Sequence, residues 1–147
     1  MKHHFIKIMV CLFMLSNCSL DNGSNSESGT ITIVFWHLTN TSGGLAGVDD
    51  QFDLDKVIWS FNEVNSTLII QNNNTDDTKQ DGLPSGTYSF SVSLNSGSYF
   101  IYIDGAEFGS YSISDTELII DQNITTSGTG ADGFVYTFKK VTEEVDI

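Results

Sequence analysis

Apolar and polar residues alternate along most of the chain after residue 29, a pattern typical of β-strands with one face in a core and the other in water. Residues 86–94 show it most clearly, because Tyr88, Phe90, Val92 and Leu94 alternate there with polar residues. Clusters of Gly, Asn, Asp and Ser separate such runs, and helical spacing is nearly absent. The pattern therefore predicts an all-β domain.

Eight strands are predicted in this domain. They are residues 30–38, 56–62, 67–72, 86–94, 98–103, 109–114, 117–122 and 133–140. A Gly-Thr/Ser-Tyr motif begins at Gly86, Gly97 and Gly109, which is the spacing of consecutive strands in a meander. An eight-stranded antiparallel meander barrel, which removes both sheet edges, is favoured, and a two-sheet β-sandwich is the alternative.

Two connections do not fit short hairpins. Residues 39–55 are rich in glycine and aspartate, and a helical turn or a lid is expected there. Residues 72–85 are polar and predict a mobile loop.

The first 17 residues predict a signal peptide. Lys2 and Lys7 make residues 1–7 a short positive segment. The apolar run that follows, residues 8–15, is far shorter than the about 20 residues that cross a bilayer. Leu15-Ser16-Asn17-Cys18 is similar to a bacterial lipobox, which implies that Cys18 becomes the lipidated first residue. A cleaved secretory signal with an incidental cysteine is the alternative.

The rest of the chain divides into three segments. Residues 18–29 form the lipidated N-terminus and a polar, flexible tether, residues 30–141 form the barrel domain, and residues 142–147 form an acidic tail. Acyl chains on Cys18 would attach the protein to a membrane without any further membrane motif.

Charge limits the partners of the protein. The chain has 6 lysines, no arginine and 19 acidic residues, a net charge of −13. A nucleic-acid partner is therefore excluded, because it requires a basic surface. Self-repulsion between copies predicts a monomer. Cys11 and Cys18 both precede the domain, which excludes a disulfide framework and a thiolate metal site within it.

Residues 30–141 resemble the lipocalin-like lipoproteins of the Bacteroidetes. The resemblance depends on Trp36 within Val34-Phe35-Trp36-His37-Leu38, a Gly-rich first loop, the Trp59-Ser60-Phe61 strand and the end of the meander at 132–138. It implies a lipocalin-like barrel and no established activity. It also implies that a basic residue packs against Trp36. In this chain that residue would be Lys139 or Lys140.

Inward-facing aromatic residues are the candidate ligand-binding residues. They are Trp36, Trp59, Phe61, Tyr88, Phe90, Tyr111 and Tyr136. An eight-stranded barrel is either filled by its own side chains or holds one small ligand. The sequence leaves both alternatives open.

Aspartates in the first long connection are the candidate metal ligands. They are Asp49, Asp50, Asp53 and Asp55. Calcium prefers carboxylate oxygens, but the spacing does not match that of an EF-hand loop, and a solvated acidic loop is the alternative. Apart from this calcium site, no cofactor is expected.

Catalytic chemistry is not indicated. His37 is the single histidine after the signal segment, and no Gly-x-Ser-x-Gly motif surrounds any serine. A histidine metal site would also need a second histidine or a cysteine. We therefore expect a protein that is not an enzyme.

Together these features predict a lipid-anchored lipoprotein of the cell envelope, held at the outer membrane on its periplasmic face or at the cell surface. Its lipocalin-like domain is expected to bind a small apolar molecule or a sugar at the open end. The alternative is a structural or interaction lipoprotein with a filled barrel, acting through its loops on another envelope protein.

Overall fold

The structure, a computed structural model, describes residues 29–147. The predicted signal peptide, Cys18 and nearly all of the tether lie outside the described residues. Within residues 29–147 every regular element is a β-strand. That part of the chain contains no helix long and apolar enough to cross a membrane.

Eleven strands are present in the described residues. They are β1 (Thr30–Gly43), β2 (Val48–Gln51), β3 (Val57–Asn62), β4 (Thr67–Asn72), β5 (Gly86–Asn95), β6 (Ser98–Ile103), β7 (Ala106–Ile113), β8 (Glu117–Asp121), β9 (Ile124–Thr125), β10 (Gly128–Thr129) and β11 (Phe134–Asp146). Strands β1, β3 to β8 and β11 pair in chain order, and β11 pairs back with β1. The predicted closed eight-stranded antiparallel meander barrel is thus confirmed.

Short strands occupy two of the connections. β2 pairs with the end of β1, from Asn40 opposite Gln51 to Gly43 opposite Val48, where a helical turn or a lid was the expectation. The β8–β11 connection carries the small β9–β10 hairpin. Backbone pairing with a neighbouring strand, rather than an apolar pattern, forms these elements.

The first and last strands are longer than predicted. β1 continues past Leu38 to Gly43, and β11 continues past Lys140 to Asp146. Residues 142–146, which the sequence assigns to an acidic tail, are opposite residues 30–34 in an antiparallel ladder. Neither neighbouring strand pairs with these segments, so they form a two-stranded ribbon beyond the barrel.

Two tight turns fix the register of the central hairpins. Ser96 and Gly97 have φ angles of 51° and 85°, and Asp104 and Gly105 have φ angles of 50° and 79°. Positive φ at both central residues is the conformation that joins strands with the ordinary twist through a two-residue loop. These turns join β5 to β6 and β6 to β7.

A bulge in β7 directs an aromatic side chain into the barrel. The register shifts so that Ile101 is opposite Gly109 and Tyr102 is opposite Glu107, which leaves Phe108 as the extra residue. Gly109 has a φ of 150°, and a Cβ there would lie 2.5 Å from the carbonyl oxygen of Asp121. Only glycine allows β7 and β8 to approach so closely.

The middle of the barrel is filled with side chains. The buried cluster consists of Trp36, Leu38, Val57, Trp59, Leu68, Ile70, Ile101, Ile103, Leu118, Ile120, Tyr136 and Phe138. The ring of Trp59 lies 4.9 Å from that of Phe138 and 6.0 Å from that of Phe108, measured between centroids. Phe108 stacks in turn on Tyr136 at 5.8 Å. This aromatic packing occupies the space that a ligand in the middle of the barrel would need.

The two ends of the barrel differ in what they carry. Because the strands are antiparallel and consecutive, the β3–β4, β5–β6 and β7–β8 turns lie at one end together with the start of β1 and the end of β11. We call this the termini end. The β1–β3, β4–β5, β6–β7 and β8–β11 connections lie at the other end, the loop end.

Candidate functional site

The seven predicted ligand-binding aromatics all lie on the inner face of the barrel, but at different depths. Trp36, Trp59 and Tyr136 are at most 4% exposed and belong to the packed core. The other four are half-buried: Phe61, Tyr88, Phe90 and Tyr111. The structure therefore brings the predicted residues into one barrel and leaves four of them near a surface.

Side chains cover the inner face at the loop end. Phe52, Leu83 and Phe134 pack against the core there. Gly82 lies so close to Tyr136 that an added Cβ would be 3.4 Å from its ring. Burial, with the Asp81 carboxylate as a smaller cause, raises the pKa of Tyr136 to about 12. These covering side chains are partly buried, and none of them is among the exposed large hydrophobic residues of the described chain.

The termini end exposes the inner face instead. Val92, Leu94, Tyr99 and Ile113 are 41%, 63%, 54% and 53% exposed, although each is a large hydrophobic residue. The register shows that they face inward, because side chains directly opposite in a ladder share a face. Val92 is opposite Ile101, a fully buried residue. We call these four residues the mouth.

Aromatic side chains lie deeper than the mouth. Phe61 and Phe90 are in edge-to-face contact, with ring centroids 5.0 Å apart. Tyr111 is directly opposite Tyr99 across β6 and β7. Burial raises the pKa of Tyr111, and the Glu63 carboxylate of the β3–β4 turn raises it further. The mouth thus has apolar side chains at its opening, aromatic rings below them and two phenol hydroxyls, those of Tyr99 and Tyr111.

Sequence reasoning identified part of this site. The alternation in β5 predicts that Val92 and Leu94 face inward, but it gives no sign that they are solvent-exposed. None of the four mouth residues was predicted as a ligand-binding residue, whereas Phe61, Phe90 and Tyr111 below them were. The available signal was the Asn95-Ser96-Gly97 turn, which sets Leu94 opposite Tyr99.

Two polar clefts lie at the loop end, each with a volume of about 300 Å³. Asn74 lines both. In the first, the Lys79 ammonium lies 5.2 Å from the centre of the Phe52 ring and donates a hydrogen bond of 2.6 Å to the Gln51 carbonyl oxygen. Phe52 is half-buried between the core and this ammonium, and its ring lines the cleft.

Hydrogen bonds within the protein already use much of these clefts. Asn74 Nδ2 donates to the Asp81 carboxylate at 2.8 Å. The Asp76 carboxylate accepts hydrogen bonds from the hydroxyl and the backbone N–H of Thr78, which lower its pKa. The clefts are polar and partly occupied by the protein's own bonds.

The predicted calcium ligands make hydrogen bonds to other protein groups. Asp49 and Asp50 are adjacent in β2, so their side chains point to opposite faces of the strand. Asp49 accepts from the Asn40 amide at 2.6 Å, and Asp50 accepts from the Gln80 backbone N–H at 2.9 Å. Across residues 29–147, no group of three or more His, Cys, Asp or Glu side chains is placed to hold a metal ion. The calcium site, which includes Asp53 and Asp55, stays a prediction that no geometry supports.

The register distinguishes between the two lysines that the resemblance suggested for the place against Trp36. Lys140 is directly opposite Trp36 and shares its face. Lys139 is opposite His37 and faces outward. The ring of His37 hydrogen-bonds through Nδ1 to the carbonyl oxygen of Leu54, so it serves to hold the β2–β3 connection on the barrel.

The fold and the mouth define a class of protein: a small closed antiparallel β-barrel in meander order, consistent with a lipocalin-like barrel. No known protein family matches the chain, and no curated protein or solved structure is significantly similar to it. The side chains themselves must therefore carry the functional argument.

Proposed function

We propose that this protein is a lipid-anchored lipoprotein of the cell envelope whose barrel binds a small apolar molecule at the mouth. The observation that carries the proposal is the exposure of four inward-facing hydrophobic side chains at the termini end. Apolar surface in water costs about 25 cal/mol per Å² relative to burial, and clustered apolar exposure marks interaction sites. Barrel mouths are common places for such sites.

The filled middle defines how a ligand would bind. It cannot pass Trp59 and Phe138, whose rings are in contact. It would lie across the mouth, with its apolar part against Leu94 and Ile113 and a polar atom near the hydroxyl of Tyr111. The apolar lining favours a hydrophobic ligand over a sugar, because buried sugar hydroxyls need several hydrogen-bonding partners.

Attachment to the membrane is the second part of the proposal. The lipobox-like sequence at 15–18 supports acylation of Cys18. An envelope location at the outer membrane is part of the same proposal, and we propose no reaction for the domain. The mature chain would carry four lysines and 19 acidic residues, a charge suited to a soluble domain on a tether.

A second candidate function is favoured by the filled barrel. A barrel with a packed core and polar loop-end clefts of about 300 Å³ can act as a rigid support for its loops. In that case the protein would be an interaction lipoprotein that binds another envelope protein through the loop end.

A binding experiment separates the two candidates. The neutral fluorescent probe N-phenyl-1-naphthylamine is titrated into the wild-type protein and into Leu94→Asp, Ile113→Asp and Leu45→Asp. Leu45 is a matched control, because it is 88% exposed and lies at the loop end. We expect weaker probe binding for the two mouth variants alone, by about tenfold for each leucine-sized group removed.

Native mass spectrometry of the protein purified from its host provides the second measurement. A bound molecule that is lost on denaturation supports the ligand-binding function. A bare mass, together with no probe binding by the wild-type protein, would exclude that function and favour the loop-mediated one. Mass analysis of the N-terminal peptide, compared with the Cys18→Ser variant, tests the acylation separately.

A further inference from the structure

We infer that the termini end is the surface through which the domain docks onto the lipid bilayer that holds its anchor, with zwitterionic lipid as the partner. The distribution of exposed hydrophobic side chains supports this. Of the 12 large exposed hydrophobic residues in the described chain, eight lie at the termini end. They are Ile31, Val64, Val92, Leu94, Tyr99, Ile113, Val145 and Ile147. Leu45, Leu54 and Ile124 lie at the loop end, and Ile69 lies within β4.

The path of the chain toward Cys18 indicates that the partner of these residues is the lipid bilayer. β1 begins at Thr30, so the segment that leads to Cys18 leaves the domain at the termini end. The eleven residues 19–29 span at most about 40 Å even when fully extended. An anchor on Cys18 therefore keeps the termini end within about 40 Å of the bilayer, so the exposed side chains of that end can reach the lipid.

The exposed side chains at the tips of the termini-end turns are of the types found in the interfacial region of a bilayer. Val64 is 99% exposed at the tip of the β3–β4 turn, and Leu94 and Tyr99 flank the β5–β6 turn. Turns carrying aliphatic tips can enter the boundary between headgroups and acyl chains, and tyrosine is enriched at that depth. Burial of these side chains in the bilayer interface removes apolar surface that otherwise remains in water.

Charge at the same end selects the type of lipid. Glu63 adjoins Val64, Asp115 and Glu117 lie beside the β7–β8 turn, and Glu143 and Glu144 lie in β11. Anionic lipids attract lysine and arginine and repel such carboxylates. The docking surface is thus suited to zwitterionic headgroups, and anionic lipid is expected to weaken it.

Docking rests on the proposed acylation of Cys18 and not on the proposed ligand. If both hold, a ligand would reach the mouth from the lipid side. The acylation and the docking are measured separately below, so that the failure of one is distinguishable from the failure of the other.

The test uses the mature acylated protein on phosphatidylcholine vesicles. Leu94→Cys and the control Leu45→Cys are each labelled with the environment-sensitive fluorophore NBD. The acylated Cys18 sulfur does not react with the label. Flotation with the vesicles, compared with Cys18→Ser, reports the attachment. NBD emission then reports whether the labelled position enters the bilayer interface.

The expected result is a blue shift and a rise in NBD intensity at position 94 and none at position 45, with a smaller change when phosphatidylglycerol is added. Equal spectra at the two positions in a protein that floats would overturn the docking and leave the attachment standing. Failure to float would overturn the attachment and, with it, the docking. A second variant pair, Val64→Asp against Leu45→Asp, checks that the label itself does not cause insertion.

Discussion

Trp59 and Phe138 are in ring contact at the centre of the barrel, with centroids 4.9 Å apart. Trp59 is 1% exposed, yet its Nε1–H has no hydrogen-bond acceptor within residues 29–147. An unpaired buried donor costs about 1–3 kcal/mol. The indole therefore stabilises the barrel through its size and ring contacts, and not through its polar atom.

This relationship predicts the effect of Trp59→Phe. The substitution removes packing atoms, which destabilises, and it also removes the unpaired donor, which stabilises. We expect the free energy of unfolding to change by no more than about 1 kcal/mol in urea titrations. Trp36→Phe is the matched control, because it removes the same atoms while Trp36 has no buried unpaired donor. A larger loss for Trp59→Phe than for Trp36→Phe would contradict the prediction.

Gly109 is the position where an added methyl group should be least tolerated. A Cβ there would lie 2.5 Å from the Asp121 carbonyl oxygen, and strand pairing fixes the backbones that carry both atoms. We expect Gly109→Ala to lower the free energy of unfolding by about 3 kcal/mol. Gly130→Ala, which would meet no atom within 4 Å, should change it by less than about 0.5 kcal/mol. Similar losses for both variants would argue against the bulge geometry.

Stability should decrease at alkaline pH because of Tyr136. Its pKa is raised from 10.0 to about 12, chiefly by burial, so the folded state keeps the proton that the unfolded state loses above pH 10. The contribution of Tyr136 is fully present below pH 10 and is lost between pH 10 and about 12. Urea unfolding at pH 9, 10, 11 and 12 measures this loss.

A substitution identifies the group responsible for this alkaline loss. Tyr136→Phe cannot ionise, so its stability should depend less on pH in the same range. Tyr111→Phe should retain most of the decrease, although the pKa of Tyr111 is also raised. An unchanged pH dependence in Tyr136→Phe would show that another group titrates.

The ribbon formed by residues 30–34 and 142–146 should be separable from the barrel. Its last rung is Gly29 with Ile147, joined by backbone hydrogen bonds of 3.1 and 2.7 Å. Isolated two-stranded ribbons are marginally stable, so deletion of residues 142–147 should lower the free energy of unfolding by about 1 kcal/mol or less. Amide hydrogen exchange of residues 30–34 should become fast while β3 to β8 stay protected. Phe138→Ala in the same strand should instead cost about 3–5 kcal/mol.

Local sequence signals predicted those elements whose limits are set by nearby residues. β4 and β6 have the predicted bounds, because turn residues directly flank their apolar alternation. The end of β1 was missed because residues 39–43 are polar and carry no alternation. Their strand depends on partners far along the chain, such as the Thr39 hydroxyl that donates to the Thr137 carbonyl oxygen at 2.9 Å.

The candidate site was only partly predictable for a related reason. Val92 and Leu94 continue the same alternation as Tyr88 and Phe90, and all four face inward. Their different exposure depends on where neighbouring strands end and on which end the connections cover. The strand ends and the positions of the connections are properties of the assembled barrel, and no residue in β5 encodes them.

The sequence by itself determined the eight barrel strands, their meander order, the two tight turns and the acidic, cysteine-free domain, because alternation, glycine and charge act over a few residues. Only the tertiary structure decided that the middle of the barrel is filled, that side chains cover the loop end and that the mouth lies at the same end of the barrel as Thr30. These features arise when β11 closes on β1, since closure sets which inner side chains meet one another and which are left in water.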